Sequence, residues 1–489
     1  MSTATATPAS LDRHQLFIGG AWTAPAGDER FEVVNPATEE VVATVPRPTA
    51  ADADKAVAAA KAAFESAAWR DLDQNGRADL LDRILAELEG RVDRLAELAT
   101  LETGAPVAMS GALTQVGLIV IREYAKLARA YSFAETREAL GGPVRVTEEP
   151  VGVSLGITPW NAPLGALAFM LAPALAAGCP IVLKPAHEAP LTMYELGDAL
   201  AAAGVPEGLV SVLPGDRELG EHLVTHPDVD KIALTGSTVA GRRVGALAAE
   251  RMARVTLELG GKSPAIVCED ADLDATVPVL RAGGLGLSGQ VCFALTRILV
   301  PASLHDEVVE RLAASMAAMK VGDPTDPATD LGPLTLERQR DRVESYIAVG
   351  REEGARVVTG GGRPAGLDRG WFVEPTLFDR VERSMRIAQE EIFGPVLAVL
   401  AYDDLEDAIA IANDSDYGLY ASVFTTDAER AAHVARRVRA GQVHLNGFGG
   451  CTGQPFGGFK CSGVGRKGGP EGLGAYLETK LIEDHGGAR

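Results

Sequence analysis

Apolar positions along this chain follow one spacing in its first third and another afterwards. Two Ala-rich stretches, Ala51 to Ser66 and Asp73 to Thr103, repeat apolar residues at three-to-four spacing with charges opposite, which predicts helices packed on a sheet. Ahead of them, Leu16-Phe17-Ile18-Gly19-Gly20 and Phe31-Glu32-Val33-Val34-Asn35-Pro36 read as a strand-and-turn region. From Val151 the rhythm becomes strand, helix, strand. Short apolar runs at Val151 to Ile157, Ile181 to Leu183, Val210 to Leu213, Lys231 to Leu234 and Val255 to Leu259 alternate with helical segments. Such alternation implies right-handed crossovers and a parallel sheet covered on both faces, an α/β fold. Ligands of such sheets sit beyond the carboxyl ends of the strands. Here those tips are Thr158-Pro159-Trp160-Asn161, Lys184-Pro185, Pro214-Gly215, Thr235-Gly236-Ser237 and Glu258.

A second alternating region runs from Arg297 to about residue 450 and predicts another α/β domain with its own sheet. Its strands are Arg297 to Val300, Val357-Val358, Phe372-Val373, Val396 to Leu400 and Ala421 to Phe424; its helices are Leu304 to Met319, Leu336 to Glu353 and Leu405 to Ala412. Beyond it, Pro455-Phe456-Gly457-Gly458-Phe459-Lys460-Cys461-Ser462-Gly463 is too glycine-rich for helix or strand. Tyr476 to Ile482 is a strand candidate with no obvious partner nearby except Pro143 to Val151, whose alternation suits a hairpin arm; for two such exposed strands a second copy of the chain is the economical partner. Leu164 to Leu183 carries no charge over roughly a bilayer's worth of helical rise. Pro173 and Gly178-Cys179-Pro180 break that run, so a buried helix, a turn and a buried strand Ile181-Val182-Leu183 are expected rather than a membrane span.

With 489 residues, 46% of them apolar, the chain exceeds one core and suits two or three domains. A net charge of -21 repels phosphate at long range and argues against nucleic-acid and anionic-membrane partners. Met1 to Ser10 has no apolar segment of a secretory signal. The five cysteines, Cys179, Cys268, Cys292, Cys451 and Cys461, are odd in number, scattered and without ligand spacing, so neither a disulfide framework nor a metal site is expected. A cytoplasmic enzyme among reduced thiols is the expectation.

Two segments carry the candidate chemistry. Gly289-Gln290-Val291-Cys292-Phe293-Ala294-Leu295-Thr296-Arg297 holds a cysteine in a turn between a glycine-rich helical run and an apolar strand, and Leu257-Glu258-Leu259-Gly260-Gly261-Lys262-Ser263-Pro264 holds a carboxylate at a strand end. Covalent catalysis on a carbonyl needs a thiol to hold the carbon and a base to activate water. Taken singly, the same segments fit an inert core cysteine and a turn glutamate. The Gly-x-Gly-x-x-Gly dinucleotide fingerprint is absent; in its place Thr235-Gly236-Ser237-Thr238-Val239-Ala240-Gly241 follows a strand, with Ser237 or Thr238 placed to cap a helix. That segment fits either a capped surface helix or a pyrophosphate site.

Together with Leu183-Lys184-Pro185-Ala186, Glu390-Glu391-Ile392-Phe393-Gly394-Pro395 and Pro455-Phe456-Gly457-Gly458, these motifs stand in an order that resembles the NAD(P)-dependent aldehyde dehydrogenase superfamily over nearly the whole chain. The resemblance implies a variant Rossmann NAD(P)-binding domain (residues 1–127 and 149–258), a second α/β catalytic domain (259–455), and a small β oligomerisation arm with the C-terminal tail (128–148 and 456–489). It implies self-association as a homodimer or homotetramer. Carried over by position, Cys292 is the nucleophile, Asn161 and the Cys292 backbone N–H form the oxyanion hole, and Glu258 is the base that hydrolyses the thioester. Lys184 is implied to hold the adenosine ribose, Ser237 the pyrophosphate and Glu391 the nicotinamide ribose. Thr158, Pro159, Trp160, Ala186, His187, Gly215, Thr235, Gly236, Leu259 and Phe393 are implied to line the cofactor cleft, and Arg466 with Glu478 to form an ion pair near a subunit contact.

Three positions depart from the family pattern. Leu295 replaces a glycine after the nucleophile, which implies a stiffer loop or a narrower substrate mouth. His187, with Glu188 beside it, stands where NAD-preferring members carry a glutamate, so NAD with measurable NADP use is expected. Lys467 follows Arg466 where an acidic residue is common, and no function is assigned to it. Ala162, Gly165, Ala166, Phe169, Val291, Phe293 and Leu295 are the expected substrate-pocket residues; they are mostly small and apolar with no arginine among them, favouring aromatic, terpenoid or medium-chain aldehydes. Two rival readings are a CoA-acylating dehydrogenase, which needs no base, and a catalytically silent nucleotide-binding scaffold.

Overall fold

A computed structural model describes residues 10–483 apart from 141 and 451. The expected absence of a signal in the first residues, Cys451, and the outer ends of the terminal segments therefore lie outside the described residues. The first large sheet has five parallel strands side by side: Val210–Val212, Ile181–Lys184, Ser154–Ile157, Lys231–Thr235 and Arg254–Glu258. Numbered along the chain, that order is 3-2-1-4-5, the Rossmann arrangement without its sixth strand. The order reverses between the tips of Ile157 and Thr235, where such sheets open a crevice. Antiparallel strands extend both edges. Leu16–Ile18 and Ala21–Thr23 lie beyond Val210–Val212, and the two-residue Gly463–Val464 pairs with Leu257 and Glu258.

The second sheet has seven strands, in the order Arg356–Thr359, Thr376–Asp379, Val396–Tyr402, Leu295–Pro301, Ser263–Val267, Tyr420–Phe424 and Gln442–Leu445, of which only the first runs antiparallel. Its register explains how the two chemical segments meet. The chain leaves the first sheet at Glu258 and enters the second at Ser263, and Ser263 is paired with Leu295, just after Cys292. The amino ends of the second sheet thus face the carboxyl end of the first, and the cysteine turn hangs over Glu258.

Several elements differ from the sequence expectation. Asp73 to Thr103 is two helices, Gln74–Glu89 and Val92–Thr103, because Gly90 caps the first and Arg91 leaves helical geometry at φ -120°. Pro173 does not break the apolar run: it is carried inside the helix Pro163–Ala177, which ends instead at Gly178 with φ 96°. No helix among the described residues is long and apolar enough to cross a membrane. Phe372 and Val373 are buried in the second core but form no strand; the ladder begins after Pro375, at Thr376–Asp379. The helix Val107–Ala130 and the strand Ser263–Val267 were not foreseen. The pairing offered for the C-terminal strand does form: Leu477–Ile482 lies antiparallel on Gly142–Pro150, with Ala134–Ala139 on the other side.

Candidate active site

Cys292 owes its position to a strained turn. The helix Leu273–Leu285 runs into Gly286–Gly289, where Leu287 and Ser288 take φ of 52° and 54° and Gly289 takes 74°. A Cβ at Gly289 would collide with the Gly394 carbonyl, so the backbones of the cysteine turn and the Glu391 loop touch as only glycine allows. The turn is anchored on its far side by Arg297, fully buried, whose guanidinium donates to the carbonyls of Lys262, Ile411 and Ala412 at 2.9 Å each. Gln290 holds it from the other side, donating to the Leu287 carbonyl at 3.0 Å and accepting from the Thr335 N–H at 3.0 Å.

Asn161 and Glu258 converge on this turn. The Asn161 amide donates to the Gln290 carbonyl at 2.8 Å, which brings an N–H donor to the segment bearing the thiol. Glu258 is 2% exposed, and neither of its carboxylate oxygens has a hydrogen-bond partner among the described residues. A Cβ at Gly457 would lie 2.5 Å from Glu258 Oε1, so the glycine leaves room for the carboxylate. Burial pushes the Glu258 carboxyl up to about 8, with Lys467 and Arg466 pulling the other way. Burial also pushes the Cys292 thiol up to about 12, helped by the carboxylates of Glu391 and Glu258. A buried acid with unpartnered oxygens is costly to keep, and such groups concentrate where chemistry needs them.

The cleft between the strand tips of the first sheet carries the other expected residues. Ser237 caps the helix Thr238–Glu250 by accepting from the Ala240 N–H at 3.2 Å, which settles the choice between Ser237 and Thr238 as cap. The positive end of that helix therefore opens at the switch point, next to Gly236. Thr158 is buried and its hydroxyl has no partner among the described residues. Lys184 reaches across to the carbonyls of Gly215 and Asp216, and Ala186 bridges Gly215. Burial brings its ammonium down to about 8. His187 stacks on Phe31 at 4.4 Å between ring centres and lies 3.4 Å from the Glu188 carboxylate, which also pairs with Arg338. Glu391 accepts from the Gly261 N–H at 3.0 Å, and burial raises it to about 7. Phe393 meets Trp160 edge to face at 5.6 Å. Leu259 packs with Leu234 and Leu257.

The expected substrate pocket is partly rearranged. Ala162 caps the helix Pro163–Ala177 next to Asn161, Gly165, Ala166 and Phe169 lie in its first half, and Val291 and Phe293 flank the thiol. Leu295 does not line the mouth: it is fully buried in its strand, its side chain against Gly283 of the helix Leu273–Leu285. That glycine makes room for the bulk, so neither a stiffer loop nor a narrower entrance follows from it. An aromatic group missed in the sequence stands there instead, with Phe293 stacked on Phe448 at 5.2 Å and set against Phe456 at 5.8 Å and Tyr420 at 5.5 Å. Phe448 is far from Phe293 along the chain and gave no local signal. The Arg466–Glu478 ion pair does not form. Glu478 pairs with Arg254 at 2.6 Å, while Arg466 donates to the carbonyls of Gly458 and Gly465 and lies over Phe459.

Sheet order and cleft define a dinucleotide-type α/β protein whose second domain presents a thiol to the cofactor side of a Rossmann crevice. Comparison with known proteins narrows the class. The model of the aldehyde dehydrogenase family matches residues 22–482. The chain is 46% identical to geranial dehydrogenase of Castellaniella defragrans, covering 97% of this chain and 99% of that one. It is 42% identical to 3-succinoylsemialdehyde-pyridine dehydrogenase of a Pseudomonas species, covering 98% and 100%. Among solved structures it is similar to a Mycobacterium tuberculosis aldehyde dehydrogenase complexed with NAD+, at a TM-score of 0.96 and 46% identity over 98% of this chain and 100% of that one. It is likewise similar to a cysteine-to-alanine mutant of Pseudomonas syringae aldehyde dehydrogenase C complexed with NAD+ and octanal, at 0.93 and 42% over 98% of each. The chain belongs to the aldehyde dehydrogenase family and is an oxidoreductase acting on the aldehyde group.

Proposed function

We propose that this enzyme oxidises apolar aldehydes, aromatic, terpenoid or medium-chain, to the carboxylic acid, with NAD as the preferred cofactor. The observation that carries the reading is the meeting of Asn161 and the buried, unpartnered Glu258 at the Cys292 turn. In this reading the Cys292 thiolate attacks the aldehyde carbon, and the oxyanion is held by the Cys292 N–H and the Asn161 amide. A bound dinucleotide supplies the hydride acceptor, and oxidation leaves a thioester on Cys292. Glu258 then takes a proton from water as that water attacks the thioester, releasing the acid and the thiol. Passing the thioester to CoA needs no such base, so Glu258 favours hydrolysis over acyl transfer, and a silent scaffold has no use for the three groups together.

The cleft fits the cofactor by its own chemistry. Thr158 offers an unpartnered hydroxyl, the Ser237-capped helix an anion-favouring terminus, and Lys184 and Glu391 the donor and acceptor for ribose hydroxyls. His187 tolerates a 2'-phosphate that a glutamate would repel, while the adjacent Glu188 disfavours it; NAD with measurable NADP use follows. The aromatic group around Phe293 and the small residues Ala162, Gly165 and Ala166 support apolar substrates. Relatives named for geranial and crystallised with octanal agree with this, whereas another is named for a semialdehyde. A panel of geranial, octanal, benzaldehyde and succinic semialdehyde, run with NAD and NADP, tests the reading; a higher kcat/KM for succinic semialdehyde than for octanal contradicts it.

The same proposal covers organisation. Residues 1–127 with 149–258 act as the cofactor unit, 259–455 as the catalytic unit, and 128–148 with the tail as the contact between copies in a cytoplasmic dimer or tetramer. Leu481 and Ile482, exposed on the outer strand of the three-stranded sheet, support that contact. Light scattering that gives a monomeric mass at micromolar concentration rejects it.

A further inference from the structure

Lys467 is the departure from the family pattern that has no role in the steps above, and its surroundings define one. Its backbone is clamped to Phe456 by a pair of hydrogen bonds of 2.7 and 2.6 Å, which turns the side chain inward next to Gly457, the residue that makes room for Glu258. Lys467 is 6% exposed and its ammonium donates to Thr235 Oγ1, and Thr235 stands directly opposite Glu258 in the parallel ladder. The preceding Arg466 also acts on Glu258 but donates to backbone carbonyls, whereas Lys467 donates to the residue paired with Glu258, whose oxygens have no hydrogen-bond partner among the described residues.

We infer that Lys467 is a positioning residue whose buried positive charge favours the ionised forms of both Cys292 and Glu258. An ammonium held in a poorly hydrated site acts on charges several ångströms away far more strongly than it would in water. The charge runs in the right direction: Lys467 lowers both the Cys292 thiol and the Glu258 carboxyl, and each of these in turn raises Lys467. Desolvation, opposed by Glu258 and Cys292, brings the ammonium down to about 8, so its charge is present below that pH and lost above it. Other groups facing this site are Lys231, which Lys467 opposes, Arg466 acting on Glu258, Glu391 raising the thiol, and the Tyr124 hydroxyl packed near Gly472. Lys467 is the cation among the leading influences on the thiol.

This inference rests on Cys292 and Glu258 being the reacting pair, and its test needs neither aldehyde nor cofactor. Alkylation of the Cys292 peptide by iodoacetamide, in which the thiolate displaces iodide, is followed by mass spectrometry from pH 6 to 10 in wild type, Lys467→Arg, Lys467→Gln and Lys467→Met. The expected result is a reaction about tenfold slower in the Gln and Met variants at pH 7 and below, the gap to wild type closing above about pH 8 as Lys467 loses its proton, with Arg close to wild type below that pH. Superimposable profiles, or an equal slowing in Arg, overturn the inference, because the effect then does not depend on charge. Gln, one atom shorter, keeps a neutral N–H donor and gives the reading if Met unfolds the site. A Cys292 that reacts no faster than the buried Cys179 in every protein instead sinks the nucleophile assignment, and this inference with it.

Discussion

Replacing Glu258 by Gln removes the base while keeping its shape, in a site where neither oxygen makes a hydrogen bond among the described residues that the amide would break. General-base assistance is worth on the order of 10²–10⁴ in rate, so steady-state turnover is expected to fall by that factor. Acylation of Cys292 does not consume this base, so the first equivalent of reduced nicotinamide still appears as a burst. Stopped-flow absorbance at the reduced-nicotinamide band reads both phases. The pH dependence sharpens the test. With its carboxyl pushed up to about 8, Glu258 is only about one-tenth ionised at pH 7. Since the carboxylate is the active form, wild-type deacylation should climb roughly tenfold from pH 7 to a plateau above pH 9, and this rise should vanish in Glu258→Gln. Normal turnover in the variant, or a burst lost along with turnover, refutes the assignment.

Further outcomes follow from the same geometry. His187→Glu is expected to lower kcat/KM with NADP at least about tenfold while leaving NAD within a factor of about two, measured with one aldehyde; equal losses with both cofactors contradict the cofactor reading. Gly289→Ala forces a Cβ into the Gly394 carbonyl at positive φ and should cost about 1–3 kcal/mol of stability, seen as a lower Tm together with loss of activity. Glu258→Gln should unfold at higher temperature than wild type at pH 9. A carboxyl raised in the folded state destabilises it once pH exceeds the unfolded value near 4.5, and that penalty is fully developed above about 8. An unchanged or lower Tm at pH 9 contradicts the burial of its charge.

Much of this protein was legible in residue order. The period of apolar positions marked the five parallel strands of the first sheet and most of the second, because a strand buried on both faces must be a short continuous apolar run. Motif residues stood at the strand tips, where the fold leaves space for a ligand. Helix interruptions and chain reversals were less readable: Pro173 was tolerated inside a helix, and the glycine-rich tail formed an edge strand against Glu258, since tertiary contacts outweighed local propensity at both places.

The one-dimensional pattern determined which residue types exist for the chemistry and which sheet end each one follows. Only the tertiary structure decided their company. The pairing of Ser263 with Leu295 sets the cysteine turn over the end of the other sheet, Leu295 fills the space beside a helix glycine, Phe448 joins Phe293, and Lys467 arrives beside Thr235 and Glu258 from more than two hundred positions away. Local sequence carries information about periodicity and backbone preference, whereas the charge state of a buried thiol or carboxylate depends on desolvation and on neighbours brought in by the rest of the chain.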